Sequence, residues 1–217
     1  MTDIHHLLPA KLAELRPTQM TVGLAEVVAK RAEWARLKRK ERESMLAAHW
    51  FPAVLGPDKR TYIVDHHHLG FALLQEGVSD VWVMKLDDYS EVEEAQFWRL
   101  MEFRRWAHPY DRRGQRRGYG DLPGSILDLR DDPYRSLAGF VRRAGGYAKD
   151  AAPFTEFLWA DFFRDLPSLK PLAKVKDGSV PGTLLDAAIA FAHSPEARHL
   201  PGWTGHSTPA SVPSTGS

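Results

Sequence analysis

The stretch between residues 50 and 86 constrains the fold of this chain more than any other part of the sequence. Its apolar residues change from a two-residue period to a helical period and back, with turn residues between the runs. This pattern predicts strands over residues 50–55, 60–64 and 78–86, with a helix over 65–76 before the last strand. Elements in this order form a small mixed sheet with helices packed on it. We therefore expect an α/β, or α+β, fold.

The composition excludes several classes of protein. The 217 residues include 29 Lys and Arg against 28 Asp and Glu, so the net charge is +1 and any basic surface must be local. The absence of cysteine excludes disulfides, cysteine-ligated zinc, iron–sulfur clusters and thiol catalysis. No run of 18 apolar residues occurs, and the first six residues lack the basic and apolar regions of a signal peptide. We expect a cytoplasmic protein with no membrane partner.

The rest of the chain supplies helices around this unit. Residues 24–48 contain neither Gly nor Pro and predict one long, highly charged helix. Apolar periodicity, with Pro or Gly at the ends, predicts further helices over residues 132–144, 153–166 and 181–191. We expect an α/β domain at residues 7–90, a helical extension at 91–203 packed on it, and a flexible tail at 204–217.

Four polar residues mark the predicted junction between the second strand and the following helix: Asp65, His66, His67 and His68. A helix N-terminus offers free N–H groups and a positive dipole end, which suit a phosphate. Asp65 fits the helix N-cap or a metal ligand. Adjacent helical residues diverge by about 100°, so at most two of the histidines could converge on one metal. The structural alternative is a helix cap with one buried histidine and two exposed ones.

The sequence around this turn resembles the central motif of the ParB/sulfiredoxin superfamily. The resemblance rests on the run Tyr62-Ile-Val-Asp-His-His-His-Leu, on the later Gly77, and on Leu15-Arg16-Pro17, which matches the opening strand. More narrowly, the chain resembles the ParB-like nuclease branch, in which D-H-H-H replaces the usual form. The resemblance implies a small mixed sheet that binds a nucleotide phosphate at a helix N-terminus. It places Asp65, His67 and His68 at the positions that touch phosphates or a metal.

Two departures from the superfamily pattern are visible. His66 stands where Gly is common, and His68 replaces the usual Arg, which removes a bidentate phosphate fork. The sulfiredoxin reaction needs a catalytic cysteine and is excluded. Superfamily kinases use a glutamate near the start of the first helix, and Glu26 is the nearest match. Asp87 and Asp88, at a strand end, are rival metal ligands or bases.

A second candidate feature is a loop rich in glycine and arginine between residues 108 and 125. Its arginines are interleaved with glycines, and arginine forks suit phosphate contact while glycine lets the backbone approach. We predict that four arginines bind the nucleotide together with His66: Arg112, Arg113, Arg116 and Arg117. A nucleic-acid backbone is an alternative ligand, and a flexible solvated loop is the structural alternative.

Three functions are compatible with these features. The first is phosphotransfer or phosphohydrolysis on a small molecule, with ATP or another nucleotide as cofactor and Mg²⁺ held by Asp65. Asp65, His67, His68 and Glu26 would be its catalytic residues. The second is a DNA-binding or nuclease-type protein, and the third is a nucleotide-binding module that is not an enzyme. A pocket joining the histidine turn to the arginine loop would favour a small substrate, and a basic stripe would favour DNA.

Overall fold

A computed structural model describes residues 7–175 and 179–205 of the chain. The predicted tail therefore lies, from residue 206 onward, outside the described residues. The strands are β1 (Leu7–Lys11), β2 (Arg16–Pro17), β3 (Thr21–Val22), β4 (Phe51–Leu55), β5 (Thr61–Ile63), β6 (Asp80–Asp88) and β7 (Arg130–Asp131). The α-helices are α1 (Leu24–Arg36), α2 (Arg39–Ala48), α3 (His67–Gln75), α4 (Glu94–Phe103), α5 (Pro133–Arg143), α6 (Thr155–Asp165) and α7 (Gly182–His193).

Five of the strands form one mixed sheet in the order β1-β6-β4-β5-β2. β4 runs parallel to β6 and antiparallel to β5, and β2 runs parallel to β5. α3 connects β5 to β6, so the predicted strand, turn, strand, helix, strand order is confirmed. The fold class is confirmed as mixed α/β with a helical C-terminal half. A separate pair of short parallel strands, β3 and β7, joins the two halves of the chain.

The prediction of one long helix over residues 24–48 is wrong, because this segment forms two helices, α1 and α2. Leu37 and Lys38 between them have extended backbone, although neither is Gly or Pro. Leu37 packs against the main core, and the Lys38 N–H donates to the Glu41 carboxylate at 2.6 Å, which starts a new helix. α1 buries Trp34, whereas α2 buries no residue. The chain therefore changes direction at Leu37, and the charged helix α2 runs along the surface.

Three apolar clusters hold these elements together. The first lies between the sheet and helices α1 and α3, and it includes Ile126 and Leu129 from far along the chain. The second joins α5, α6 and α7 around the fully buried Trp159. The third packs α4 on the other side of β4 and β5, with Phe97 at its centre. Residues on both sides of the arginine loop, Ala107 before it and Ile126 after it, therefore belong to clusters that pack on the sheet, and these anchor the two ends of the loop.

The described part of the chain contains no helix that is long and apolar enough to cross a membrane.

Candidate functional site

The Asp-His-His-His turn follows β5 directly and leads into α3. The helix begins at His67, with His66 in the capping position in the left-handed region, at φ 65° and ψ 22°. Histidine is among the few non-glycine residues enriched in that region, so it can occupy this position without glycine. The Asp65 carboxylate accepts a hydrogen bond from the His66 N–H at 2.6 Å. The prediction that Asp65 is the helix cap is therefore wrong by one residue.

The rings of His67 and His68 both accept hydrogen bonds from backbone amides. The Thr18 N–H donates to Nε2 of His67 at 3.2 Å, and the Gly23 N–H donates to Nε2 of His68 at 2.9 Å. Burial lowers the pKa of His67 to about 3 and lowers the pKa of His68 well below its usual value. Both rings are therefore neutral at pH 7 and hold residues 18–23 against the start of α3.

His66 has a different environment from the other two histidines. Its ring lies 5.9 Å from the Phe51 ring and 6.5 Å from the His49 ring. Its buried Nδ1 makes no hydrogen bond to the described residues. The structural alternative of one buried and two exposed histidines is also incorrect, because His67 is buried while His66 and His68 are half-buried.

The buried Glu26 lies beside the neutral ring of His68 and near the exposed Arg143. One carboxylate oxygen is 3.8 Å from Nδ1 of His68, and the other is 3.5 Å from a guanidinium nitrogen of Arg143. That second oxygen, Oε1, accepts no hydrogen bond from the described residues. Burial, and next the negative charge of Glu156, raise the pKa of Glu26. The structure thus brings together Glu26 and His68, which the sequence predicts as catalytic residues.

Gly139 of α5 makes room for the Glu26 carboxylate, and Gly139→Ala tests this contact. A Cβ at Gly139 would collide with Oε1 of Glu26. We expect the free energy of unfolding to fall by about 1–3 kcal/mol, the usual cost of overpacking, even though alanine favours a helix. Gly182→Ala in α7 is the control, because a Cβ there meets no atom within 4 Å. Urea denaturation measures both variants, and equal stability of the two would contradict the contact.

A cleft of about 690 Å³ opens beside Asp65, between the sheet and the C-terminal helices. On the sheet side it is lined by Gln19, Pro52, Val64, Asp65, Arg105 and Trp106, and on the helical side by Arg135, Arg142 and residues 149–157. Asp65 is therefore the one predicted site residue among those that line this cleft. Glu26, His67 and His68 do not line it, but each interacts electrostatically with Arg135, which does.

The charges in this first cleft are arranged around Glu156. Its two carboxylate oxygens lie 2.9 Å from guanidinium nitrogens of Arg135 and Arg142. These two arginines lower the pKa of Glu156 against the opposing effect of burial, so the carboxylate is ionised. Arg105 and Lys149 are exposed at the cleft and form no ion pair within the described ranges. The cleft thus combines two arginines that Glu156 holds in place, Arg135 buried and Arg142 half-buried, with two exposed cations that are available to bind an anion.

The sequence analysis did not single out Arg135, Arg142 or Glu156. A signal was present, because Arg135 and Arg142 are seven residues apart on a predicted helix and therefore lie on the same face. That face also carries Ala138, and a charged residue on an apolar helical face needs a buried partner. The partner lies on the next helix, and a single sequence does not reveal that pairing.

The charge of the arginine loop is partly neutralised by Glu102 of α4 and by Asp111 of the loop itself. Arg116 pairs with Glu102 at 3.0 Å, and Arg117 donates through Nε to the Asp111 carboxylate at 2.7 Å. Arg112 and Arg113 are exposed, and in the parts of the chain that the structure describes neither makes an ion pair within 4 Å. Arg116 and Arg117 therefore have acidic partners, while all four arginines of the loop are exposed to solvent.

The loop lines a second cleft of about 480 Å³ together with Met20, Thr21 and Arg130. No residue lines both clefts. Even the neighbouring residues Gln19 and Met20 are divided between them, Gln19 at the first cleft and Met20 at the second. The structure thus places the histidine turn and the arginine loop at separate clefts. The single pocket joining the two, which the sequence analysis gave as a sign of a small substrate, is absent from the described residues. Whether the four loop arginines and His66 bind a nucleotide stays a prediction.

The described residues contain no group of three or more His, Asp or Glu side chains that could jointly hold a metal ion. Asp87 accepts a hydrogen bond from the Tyr89 hydroxyl at 2.6 Å, and Asp88 accepts one from the Ser90 hydroxyl at 2.7 Å. Both rival carboxylates are therefore engaged in the turn that follows β6. Asp65 is exposed, and its bond to the His66 N–H leaves Oδ2 without a described partner.

Comparisons with known proteins agree with this architecture. A family model described as "Putative ParB-like nuclease" matches residues 8–165. The chain is similar to the crystal structure of protein Atu1540 from Agrobacterium tumefaciens, with 44% sequence identity and a TM-score of 0.82. That match covers 92% of this chain and 98% of the other. A search of the curated proteins found no match.

Proposed function

Because the chain belongs to the ParB-like nuclease family, we propose that it binds a nucleotide in the first cleft and catalyses magnesium-dependent phosphotransfer or phosphohydrolysis on a small molecule. The observation that carries the proposal is that Asp65 and four cationic side chains line one cleft of about 690 Å³. Ligand pockets commonly have volumes of about 300–1,000 Å³. The cations are Arg105, Arg135, Arg142 and Lys149.

The arginines and the lysine supply the phosphate-binding part of this proposal. Arg135 and Arg142 are held by Glu156, so their positions need no reorganisation when an anion arrives. Arg105 and Lys149 have no such partner, so their positive charges are available to neutralise a triphosphate. Trp106 and Phe154 on the cleft wall offer apolar surface to a base.

Asp65 fits the role of a magnesium ligand. Mg²⁺ is usually bound by one or two carboxylates together with substrate phosphates, rather than by a cage of protein ligands. An exposed carboxylate with a free oxygen, at the edge of a cleft rich in cations, meets that requirement. When bound, Mg²⁺ would neutralise charge on the transferring phosphoryl group.

The remaining predicted catalytic residues contribute differently. His67 and His68 position residues 18–23, and Gln19 of that segment lines the cleft. We propose that the two histidines shape the cleft rather than contact the phosphates. For Glu26, a role as general base stays a prediction, because a raised pKa suits a base while its carboxylate lies outside the cleft lining.

A thermal-shift experiment with ATP, CTP and GTP, each with and without Mg²⁺, tests the proposal. A ligand that binds only the folded state at 100 times its Kd stabilises it by about 2.7 kcal/mol. We expect Asp65→Asn to abolish the magnesium-dependent part of the shift. Asp58→Asn is the matched control, since Asp58 is an exposed aspartate in the turn before β5 and does not line the cleft.

Two results would contradict the proposal. One is the absence of any nucleotide shift in the wild-type protein, and the other is a full magnesium-dependent shift in Asp65→Asn. Release of inorganic phosphate from the bound nucleotide would separate an enzyme from a nucleotide-binding module.

A further inference from the structure

We propose that Gln19 selects the base of the nucleotide in the first cleft, by accepting a hydrogen bond from an amino group on that base. The inference rests on the proposed function, because it concerns the same cleft and names the class of nucleotide that the cleft takes. Adenine and cytosine carry an amino group at the ring position where guanine, hypoxanthine and uracil carry a carbonyl oxygen. The cleft should therefore prefer ATP to ITP, and CTP to UTP.

The side-chain amide of Gln19 has one orientation that its surroundings allow. Its Nε2 donates a hydrogen bond to the Thr21 carbonyl oxygen at 2.8 Å. A carbonyl oxygen accepts hydrogen bonds and cannot donate one, so turning the amide by 180° would lose this bond and bring two oxygens together. Oε1 is therefore fixed on the other side of the amide, where it serves as an acceptor.

Oε1 of Gln19 is available to a ligand. The residue is 6% exposed, yet Oε1 accepts no hydrogen bond from the described residues. It is also not one of the unpartnered polar atoms that the protein seals from solvent, so it borders on open space. Gln19 lines the first cleft, which supplies that space. A donor group on a ligand would satisfy this acceptor.

The backbone beside Gln19 is held in place before any ligand binds. The Thr18 N–H donates to Nε2 of His67 at 3.2 Å, and the Thr18 hydroxyl donates to the Ile63 carbonyl at 2.8 Å. The Thr18 carbonyl accepts a hydrogen bond from the His108 N–H at 2.8 Å. Because these bonds fix the neighbouring residue, little conformational entropy is lost when Gln19 binds a base.

An aromatic surface for a base lies near Gln19. Gln19 and His108 form an isolated parallel bridge, and Trp106 precedes His108 by two residues, or about 7 Å of extended chain. Trp106 is half-buried and lines the same cleft. A base that packs on an aromatic ring keeps its edge free for hydrogen bonds. Trp106 and Gln19 thus offer the two kinds of contact that recognise a base.

The phosphates belong at the other side of the cleft. Phosphate oxygens are acceptors, so an amide oxygen does not suit them, whereas cations do. Arg135, Arg142 and Lys149 lie on the helical side of the cleft, across from Gln19 and Trp106 on the sheet side. We therefore assign the sheet side to the base and the helical side to the phosphates.

Isothermal titration calorimetry with pairs of nucleotides, in the presence of Mg²⁺, tests the inference. In each pair, ATP with ITP and CTP with UTP, an amino group is exchanged for a carbonyl oxygen and the base keeps its size. We expect the amino member of the pair that binds more tightly to have at least a tenfold lower Kd. A buried acceptor discriminates in this way because the carbonyl analogue leaves it unpaired.

Gln19→Met removes the acceptor and keeps the length of the side chain. We expect its Kd values for the two members of a pair to lie within about twofold of each other. The variant also loses the bond to Thr21, so the readout is the ratio of the two affinities, because a purely structural defect would weaken both equally. Gln19→Glu keeps an acceptor oxygen and should retain the preference for the amino nucleotide. Gln96→Met is the matched control, since Gln96 is an exposed glutamine of α4 that does not line the cleft.

The outcomes separate this inference from the proposed function. Nucleotide binding without a preference for the amino member of either pair would overturn the role of Gln19 and leave the proposed function standing. A wild-type preference that persists in Gln19→Met, or one that is lost in Gln96→Met, would also overturn that role. Absence of binding of all four nucleotides would overturn both proposals.

Discussion

Arg135→Met should lower the free energy of unfolding by about 3–5 kcal/mol. The Arg135 side chain is 6% exposed and lies 2.9 Å from the Glu156 carboxylate, with its guanidinium 4.1 Å from the centre of the Phe157 ring. Methionine fills similar volume but leaves Glu156 with Arg142 as its one close cation among the described residues. Breaking a buried ion pair from one side is costly because the remaining charge is poorly compensated. Urea denaturation at pH 7.5 measures the change.

A second variant separates charge from packing. Arg135→Met/Glu156→Gln removes the stranded carboxylate and should recover part of the lost stability, since replacing both partners of a buried pair is often nearly neutral. Arg113→Met serves as a control, because an exposed side chain without an ion pair should change stability by less than about 0.5 kcal/mol. If the double variant is less stable than Arg135→Met, packing rather than charge dominates at this position.

Acid should destabilise this protein below about pH 6.5, earlier than carboxylate titration alone would. Burial is the largest cause that lowers the pKa of His67 and His108 to about 3, and that of His68 well below its usual value. These rings stay neutral in the folded state but take up protons near pH 6.5 when the chain unfolds. Their contribution to stability is present above pH 6.5 and is lost as the pH falls towards 3.

Four acids that are at least partly buried act in the opposite direction. Burial raises the pKa of Asp132 to about 6 and also raises that of Glu26, so the folded state takes up protons there that the unfolded state still releases. Burial also raises the pKa of Asp131 and Asp161, whereas it lowers the pKa of His66 together with those of the other three histidines. The free energy of unfolding should therefore fall with pH below about pH 6.5, by up to about 1.4 kcal/mol per pH unit for each histidine that the acids do not offset.

His108→Phe tests the source of this slope. The His108 ring lies 3.9 Å from the Phe157 ring and 4.5 Å from the Tyr110 ring, so a phenyl group preserves the aromatic contacts. The variant should lose about 1.4 kcal/mol per pH unit from the slope of stability against pH, the share of one histidine. Urea denaturation between pH 7.5 and 4.5 gives the slope, and an unchanged slope would contradict the assignment. A shift in stability that is uniform across this pH range reflects packing and does not bear on the test.

The Asp-His-His-His turn illustrates what can and cannot be predicted from neighbouring residues. Its position between β5 and α3 follows from apolar periodicity and from the Gly at residue 77, which are properties of adjacent residues. The bonds that His67 and His68 accept come from the amides of Thr18 and Gly23, more than 40 residues earlier. Three adjacent histidines therefore predict a turn with a possible binding role. They do not predict that the rings of His67 and His68 accept hydrogen bonds from the backbone of residues 18–23.

The arginine loop shows a second limit. Its composition predicts four equivalent phosphate ligands, whereas the fold assigns Arg116 to Glu102 and Arg117 to Asp111. Arg112 interacts electrostatically with Asp131, and it lines a cleft with Arg130, which the sequence analysis did not single out. Which cations are free depends on where the acids lie in space, and composition counts charges without locating them.

By itself, the sequence determined the α/β class, the order of the elements around the turn and the resemblance to the ParB-like family, because these depend on periodicity and short motifs within single segments. The tertiary structure alone decided which residues share a cleft. Asp65 lines the same cleft as Arg142 and Glu156 because α5 and α6 pack beside the sheet. The same packing places the arginine loop at a different cleft. Contacts between distant segments arise from the burial of apolar surface shared by several elements, and no single segment of the sequence specifies that surface.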